Sequence, residues 1–337
     1  MDRYSRQTIF PGVGPEGQAR LLAARVTLVG CGALGTVIAN VLARTGVGSL
    51  RIVDRDYVEL SNLQRQVLFD EADAREGAPK AVAAAEKLAR INSEIRVEPV
   101  VEDFGPDNAE RLVEDADIVL DGADNFETRY VVNDACVKLS KPWVYAAAIA
   151  SYGVVMAIVP NETPCLRCVF LKPPEAGGVD TCDTAGVLGP TPGVIANLAA
   201  AEGIKLLVGA RELLAQGLLW IDLWYNSFQR TPITAPEPEC PTCGRRDFEF
   251  LEGRAALSQT LCGRDAVQVR PPRPGQLDLA ALATRLAAVA PVRHNEHLIR
   301  LRVDPYDLTI FRDGRAIVKG TGDAGLARSL YARYVGT

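Results

Sequence analysis

The sequence predicts an α/β protein, in which a doubly wound, mostly parallel sheet is extended by antiparallel strands. Short apolar runs rich in β-branched residues alternate with apolar-periodic helical segments as far as residue 146. A glycine-rich turn joins the first run to the first helix, and from residue 150 onward the apolar runs follow each other directly. Alternating strands and helices indicate right-handed parallel crossovers, whereas consecutive strands indicate antiparallel pairing.

The first strand and helix form a nucleotide-binding pattern. After the apolar run VTLVG, Gly30, Gly32 and Gly35 fit the spacing G-x-G-x-x-G. Glycines let the backbone approach a phosphate, and the helix N-terminus supplies free N–H groups and the positive end of a dipole. The next apolar run, LRIVD, ends at Asp54, where a carboxylate can accept hydrogen bonds from a ribose. This Rossmann-like pattern predicts nucleotide binding, most commonly of NAD or FAD.

Polar residues after the second strand favour ATP instead. Residues 56–66 lie beyond the end of that strand, where α/β folds bind ligands. Asn62, Gln64 and Arg65 offer donors suited to a polyphosphate, although an ordinary surface loop would have the same composition. Lys80 follows a proline at the start of an alanine-rich helix, where the dipole disfavours a cation unless an anion joins it.

Two carboxylates follow the strand DIVLD. Asp121 and Asp124 are predicted at the C-terminal edge of the sheet, with Asn125 as a helix N-cap and Arg129 one turn later. One carboxylate could hold Mg²⁺ through an ATP phosphate. The alternative is that both are turn and capping residues.

Cysteines suggest a metal site. Four of the eight cysteines form two C-x-x-C pairs in turn-like sequence, which predicts a closed tetrahedral zinc site of the structural type rather than disulfides. Two unrelated reduced pairs are the alternative. Cys182 ends a Pro/Gly-rich stretch between the pairs and is either a nucleophile or an incidental thiol. The predicted zinc ligands are Cys165, Cys168, Cys240 and Cys243.

Composition argues against a nucleic-acid-binding, secreted or membrane protein. The chain has 337 residues, a net charge of −5 and a pI of about 5.3, which argues against nucleic-acid binding. The polar start lacks a signal-peptide pattern and no unbroken apolar run has membrane-spanning length, so we expect a soluble cytoplasmic protein. The composition changes near residue 253. We therefore expect one domain at 1–253 and a small α+β domain of unknown role at 254–337.

The combined motifs resemble the ThiF/MoeB family, prokaryotic relatives of ubiquitin-activating enzymes. The match extends in order over residues 3–244, about the first 250 residues, and includes RYSRQ at the start, GCGALG, SNLQRQ, DGADN and both C-x-x-C pairs. Ala33 stands where a GLGGLG pattern has its third glycine, and this small side chain should still permit nucleotide binding. The segment TCDTAGV, which contains Cys182, resembles the crossover loop of the ThiF branch.

The resemblance implies an adenylyltransferase that activates the C-terminal glycine carboxylate of a ubiquitin-like sulfur carrier protein ending in Gly-Gly, with ATP, Mg²⁺ and Zn²⁺. Asp54 would hold the ribose, Asp124 would hold Mg²⁺, and Arg6 would reach the ATP site of the neighbouring subunit in a homodimer. The implied catalytic residues are Arg6, Arg65, Lys80, Asp124 and Cys182, the last for a later thioester or persulfide step. The implied nucleotide-binding residues are Gly30, Gly32, Ala33, Asp54, Asp56, Asn62, Arg65, Gln66, Lys80, Asp124 and Asn125.

Several alternatives remain open from the sequence. The carrier could serve thiamine thiazole synthesis, which we favour, or molybdopterin synthesis or tRNA or cysteine thiolation. Sulfur would come from a separate donor protein. Two other classes are an NAD-dependent oxidoreductase, which would bind NAD but not ATP, and an inactive scaffold. The tail would orient the carrier or pack beside the dimer.

Overall fold

The computed structural model describes residues 3–174, 184–254, 266–269 and 276–336. Contacts between residues divide the chain into two compact units, residues 1–256 and residues 257–337. Cys182 lies outside the described residues, as does Cys262.

The first unit contains an eight-stranded sheet in the order β3-β2-β1-β4-β5-β6-β7-β8. The strands from β3 to β5 pair in parallel, and β6, β7 and β8 follow as antiparallel neighbours. This confirms the predicted parallel sheet with an antiparallel extension. The strands are β1 Arg25–Val29, β2 Ser49–Val53, β3 Arg96–Val100, β4 Ile118–Asp121, β5 Trp143–Ile149, β6 Tyr152–Ile158, β7 Leu218–Asp222 and β8 Ser227–Thr231.

Helices cover both faces of this sheet. Helix α3 begins after Gly32 and ends at Gly46, whose φ of 84° fits a left-handed C-cap. The sequence does not predict helix α4. It predicts a helix over 106–114, and the observed α6 is shorter. The helices of this unit are α1 Ser5–Thr8, α2 Gly14–Ala23, α3 Ala33–Thr45, α4 Glu71–Glu76, α5 Lys80–Ile91, α6 Ala109–Val113, α7 Phe126–Lys138, α8 Leu166–Val169 and α9 Pro190–Val208.

Helix α9 is long and apolar enough to cross a membrane if length and composition alone are considered. Half of its apolar window is buried, and the helix contacts α3, β5 and β6. Ile195, Ala196 and Ala199 belong to the main hydrophobic core. Its composition is therefore accounted for by packing against the sheet.

The second unit contains a five-stranded antiparallel sheet in the order β10-β11-β12-β13-β9, with two helices that share its apolar core. The apolar pattern of the sequence predicts strands over 298–303, 308–312 and 316–319. Strands β11 and β13 have these bounds, β12 begins two residues earlier, and β10 is not predicted. The elements are β9 Ala266–Val269, α10 Leu279–Ala287, β10 Val292–His294, β11 Leu298–Val303, β12 Tyr306–Phe311, β13 Ala316–Lys319 and α11 Ala324–Tyr334.

Candidate active site

The glycine turn after β1 is built by close contact between main chains. Gly30 has a φ of 89°, and a Cβ there would lie 2.5 Å from the carbonyl oxygen of Gly122. A Cβ on Gly35 would lie 2.1 Å from the carbonyl oxygen of Gly30. Because such distances are impossible for real side chains, these glycines join β1, α3 and the end of β4 into one fixed turn.

Gly32, unlike Gly30 and Gly35, has space for a Cβ atom. Among the described residues, its Cβ would meet only Nε2 of Gln66, at 3.8 Å, and no side chain caps the first turn of α3. The orphan N–H groups of a helix start are donors for an anion. An open glycine beside uncapped N–H groups therefore forms a cradle that a phosphate can fill.

Two acidic residues and a lysine lie beside this cradle. The Asp54 carboxylate accepts hydrogen bonds from the backbone N–H of Cys31 at 2.6 Å and of Asp56 at 2.7 Å. Lys80 is almost fully buried, and its Nζ lies 3.1 Å from Oδ2 of Asp56. The Lys80 N–H also donates to the Asp56 carbonyl at 2.9 Å, so the start of α5 is fixed to the end of β2.

Burial dominates the electrostatics here. It raises the pKa of the Asp54 carboxyl above its usual value, and the Lys80 ammonium opposes that rise. Arg55 pairs with Asp103 at 2.9 Å. Burial tends to lower the pKa of Arg55, but the surrounding carboxylates, led by Asp103, outweigh this and raise it above its usual value. The site thus places Arg55 and Lys80 next to acidic side chains.

The predicted polar segment forms a short 3-10 helix at Leu60–Asn62 followed by a turn. The Asn62 side chain is buried and its oxygen accepts the Glu59 N–H at 3.0 Å. Arg65 donates to the Ser61 carbonyl at 3.0 Å and remains partly exposed. Gln66 is buried, and its Oε1 has no hydrogen-bond partner within the described part of the chain. A buried acceptor next to the Gly32 cradle is what a ligand donor would satisfy.

The two carboxylates after β4 have separate roles. Asp121 is fully buried and pairs with Nε of Arg129 at 3.0 Å, while Arg129 also donates to the Ala123 carbonyl at 2.7 Å. Burial raises the pKa of Asp121, and Arg129 opposes this. Asp124 is exposed, and its carboxylate accepts from the Asn125 amide at 3.2 Å. Asp124 is therefore the carboxylate of this pair that is accessible to a metal ion or phosphate.

Asn125 supplies the expected helix cap. Its side-chain oxygen accepts the Thr128 N–H at 2.9 Å, which begins α7 directly after Asp124. The sequence placed Arg129 correctly one turn later but did not reveal its pairing with Asp121. The spacing of eight residues between Asp121 and Arg129 suggests this ion pair only if the start of the helix is already known.

The N-terminal arm lies at the other edge of the sheet. The Tyr4 hydroxyl accepts from Asn92, after the end of α5, at 2.9 Å, and the Gln7 amide donates to the carbonyl of Thr45, the last residue of α3, at 2.9 Å. Arg6 lies between these anchors and is exposed. Since α3 spans 13 residues, Arg6 is about one helix length, roughly 20 Å, from the glycine turn of its own chain.

The two C-x-x-C pairs come together. The distances between Sγ atoms are 3.5 Å for Cys165 and Cys240, 3.9 Å for Cys165 and Cys168, and 3.4 Å for Cys168 and Cys243, and all four atoms lie within 4.8 Å of one another. Tetrahedral zinc with Zn–S bonds of about 2.3 Å separates its sulfur atoms by about 3.8 Å. The four thiols therefore fit a zinc ion.

Helix α7 holds both cysteine pairs, a connection that the sequence did not reveal. The Asn133 oxygen accepts the Leu166 N–H at 2.9 Å beside the first pair. The buried Asp134 accepts the Thr242 hydroxyl at 2.8 Å and the N–H groups of Phe250 and Leu251 at 3.0 and 3.3 Å. The same helix thus begins at the candidate nucleotide site and is fixed to the metal site.

The described segment after Cys182 returns to the candidate site. The Ala150 N–H donates to the Gly186 carbonyl at 3.0 Å, and the Leu188 N–H donates to the Ala150 carbonyl at 2.8 Å. A Cβ on Gly189 would lie 3.2 Å from the carbonyl oxygen of Gln64. This segment therefore lies against the polar turn that precedes Gln66.

Comparison with known proteins identifies relatives along the whole chain. The model of the ThiF family matches residues 4–242. The sulfur carrier protein ThiS adenylyltransferase of Bacillus subtilis is 44% identical over 99% of this chain and 99% of its own. The SAMP-activating enzyme E1 of Haloferax volcanii is 42% identical over 75% of this chain and 92% of its own.

Solved structures agree with the fold of the first unit. The crystal structure of E. coli MccB with ATP superposes with a TM-score of 0.63 and 28% sequence identity, over 72% of this chain and 75% of that one. The matched region of the family model contains the glycine turn, Lys80, Asp124 and three of the four clustered cysteines. The chain belongs to the ThiF family.

Proposed function

We propose that this protein adenylylates the C-terminal glycine carboxylate of a ubiquitin-like sulfur carrier protein, with ATP as the second substrate and pyrophosphate as the product. The main support is that an open phosphate cradle at Gly32, a buried lysine and an accessible carboxylate lie at one edge of the sheet. The chain is also similar along its whole length to an enzyme of this kind. The first experiment is ATP–pyrophosphate exchange with candidate carriers ending in Gly-Gly.

The nucleotide would be held by main-chain and side-chain groups together. Gly30, Gly32 and Ala33 would bring N–H groups to the phosphates, and Asp54, with its two backbone bonds, is oriented to accept ribose hydroxyls. Asn62 and Gln66 would add amide contacts. Asp56 would act through Lys80, whose ammonium it holds in place.

The reaction forms one bond and breaks another at phosphorus. A carboxylate oxygen of the carrier attacks the α-phosphorus of ATP, and the bond to the bridging oxygen of the β-phosphate breaks with the electron pair leaving on pyrophosphate. Lys80 and Arg65 would neutralise the negative charge that accumulates on the leaving group. Such preorganised charge is usually the largest catalytic contribution, about 10²–10³ in rate for one donor.

Metal ions would have two different roles. Asp124 would hold Mg²⁺, whose charge would reduce the repulsion between the carrier carboxylate and the triphosphate. Asn125 fixes the helix that follows Asp124. Zinc at the four cysteines would be structural, because four thiolates leave no open position for a substrate.

Arg6 would act in the active site of a second subunit. It lies at the opposite edge of the sheet from its own glycine turn, and the anchors on either side of it are bonds to the ends of α3 and α5. The neighbouring Ile9 and Phe10 are 69% and 61% exposed, as expected for side chains that a second copy covers. We therefore propose a homodimer with shared active sites.

The carrier is proposed to be of the thiamine thiazole type, since a full-length relative acts on ThiS. The same chemistry could serve molybdopterin synthesis or thiolation. A separate protein would donate sulfur. Cys182 is the candidate for a later thioester step, in which its thiolate would attack the acyl adenylate and displace AMP. The reduced cysteine cluster fits a cytoplasmic enzyme.

The exchange assay has a matched control. Asp124→Ala should abolish carrier-dependent exchange, whereas Glu162→Ala removes an exposed carboxylate that pairs with surface Arg211 and should leave exchange unchanged. Tight ATP binding without exchange for any carrier would contradict the proposal and favour a scaffold. Binding of NAD but not ATP would favour an oxidoreductase.

Subunit mixing tests the shared site. Arg6→Ala and Lys80→Met homodimers should each be inactive, and their mixture after subunit exchange should regain about one quarter of the wild-type activity, because half of the dimers are mixed and each holds one intact site. No recovery, with mixed dimers demonstrated by mass spectrometry, would place Arg6 outside the partner's site.

A further inference from the structure

Three large aromatic side chains are exposed near the end of the sheet. Trp224 is 68% exposed, Tyr225 is 77% exposed and Phe228 is 66% exposed. The first two lie in the turn between β7 and β8, and Phe228 lies on β8. Aromatic residues of this size are enriched at the energetic centres of protein interfaces, so their exposure in one hairpin indicates a binding surface.

The aromatic turn is rigid although its side chains are exposed. The Asp222 carboxylate is buried and accepts the N–H groups of Trp224 and Tyr225 at 3.0 and 3.3 Å, together with the Ser151 hydroxyl at 3.0 Å. The Leu223 N–H also donates to the Ser151 carbonyl at 2.9 Å. Because the backbone is already ordered, binding there would cost little conformational entropy.

Strand register places this turn at the edge where the reaction would occur. The C-terminal ends of β1, β4 and β5 lie at one edge of the sheet because these strands are parallel. Tyr152, at the start of β6, pairs with Ile149 at that end of β5 and also with Asp222 at the end of β7. The turn after Asp222 therefore lies at the same edge as the glycine turn after β1. It is four strands away, about 19 Å across the sheet, and its register with Ile149 places it four residues, about 13 Å, further along the strands, which makes about 23 Å in all.

We propose that Trp224 and Tyr225 bind the folded body of the sulfur carrier while its C-terminal tail extends along this edge to the α-phosphate. The inference rests on the proposed function and adds the docking surface. An extended chain covers about 3.3 Å per residue, so a tail of about seven residues spans the distance. A ubiquitin-like domain with a flexible Gly-Gly tail has the required form, a folded body joined to an extended end.

A second copy of this chain is a less suitable occupant. The exposed apolar side chains beside Arg6, namely Ile9 and Phe10, lie at the opposite edge, next to the ends of α3 and α5. They provide a surface for the second copy that includes the residue proposed to act across the dimer. The aromatic turn is separate from that arm and faces the edge that the substrate carboxylate must reach.

The test compares a complete carrier with its tail alone. The variant is Trp224→Ala/Tyr225→Ala. The first probe is a recombinant ubiquitin-fold carrier that ends in Gly-Gly and supports exchange with the unaltered enzyme. The second probe is a synthetic peptide with the last residues of that carrier. We expect the KM for the carrier to rise about 10–100-fold, as for the loss of two interface anchors. The KM for ATP and the exchange rate with the peptide should not change.

Leu213→Ala is the matched control. Leu213 is 60% exposed and lies before β7, which begins at the opposite edge of the sheet, so its loss should leave the carrier KM unchanged. An unchanged carrier KM in the double variant would overturn the docking surface and leave the adenylylation proposal intact. Equal loss with the peptide, or a changed oligomeric state by light scattering, would also overturn it. Failure of the unaltered enzyme with every carrier would instead overturn the proposed function.

Discussion

Replacing Lys80 with methionine separates the stability role of this residue from its proposed catalytic role. The Lys80 side chain is 5% exposed, and Nζ lies 3.1 Å from the Asp56 carboxylate. At an effective dielectric constant of about 20, this contact is worth about 5 kcal/mol before desolvation is subtracted. Asp56 is 17% exposed and can recover some hydration, so we expect Lys80→Met to lower the free energy of unfolding by about 1–3 kcal/mol.

The catalytic loss should be larger and should have a different origin. Without the ammonium, pyrophosphate leaves without one of its two proposed cations, and carrier-dependent exchange should fall about 10²–10³-fold at saturating ATP. The second variant is Lys80→Met/Asp56→Asn, which also removes the charge of the carboxylate that has lost its lysine partner. Urea denaturation should show most of the lost stability restored, whereas the exchange rate should remain low.

Two results would refute this reasoning. Exchange within about tenfold of wild type in Lys80→Met would mean that the ammonium does not act on the triphosphate, given the usual size of such effects. Recovery of exchange in the double variant would mean that Lys80 acts only by neutralising Asp56. Urea midpoints measured on the same preparations distinguish either result from partial unfolding.

Other substitutions test the cradle and the metal site. Gly30→Ala should lower the free energy of unfolding by about 2–4 kcal/mol, because Gly30 has a positive φ and lies against Gly122. Gly32→Ala should lower it by only about 1 kcal/mol, and should instead raise the Kd for ATP, measured by calorimetry, about tenfold. Asp134→Ala leaves three donors unpaired and should lower the free energy of unfolding by about 3–5 kcal/mol, while full stability would contradict its anchoring role. Metal analysis should find one zinc per chain, which Cys240→Ser should lose and Cys136→Ala, a buried cysteine outside the cluster, should retain.

The parts of the site that sequence predicts are those with local patterns. The glycine spacing, the acidic end of β2 and the two C-x-x-C pairs each involve residues close in sequence whose chemistry has few other uses. Asn125 is a similar case, because a cap needs only the helix that follows it. The four cysteines required one further step, the assumption that two local pairs meet in space, and the structure confirms that they do.

The parts that sequence could not predict depend on distant contacts. Asp134 lies in a helix whose other residues are mostly apolar, and its partners Thr242 and Phe250 are more than 100 residues away. Asp121 appeared equivalent to Asp124 in sequence, and only burial and Arg129 separate their roles. Short elements such as α4 and β10 lack enough periodicity to distinguish them from loops.

The cysteine cluster also imposes an order on the synthesis of the chain. Cys165 and Cys240 are 75 residues apart, so at about 5–20 residues per second the first pair emerges from a ribosome about 4–15 s before the second. When the first pair emerges, the parallel strands β1 to β5 are already available, but the strands β7 and β8 and the last two thiols are not. Loading of the proposed zinc would therefore come late, after the parallel half of the sheet can form, and it would fix the antiparallel half in place.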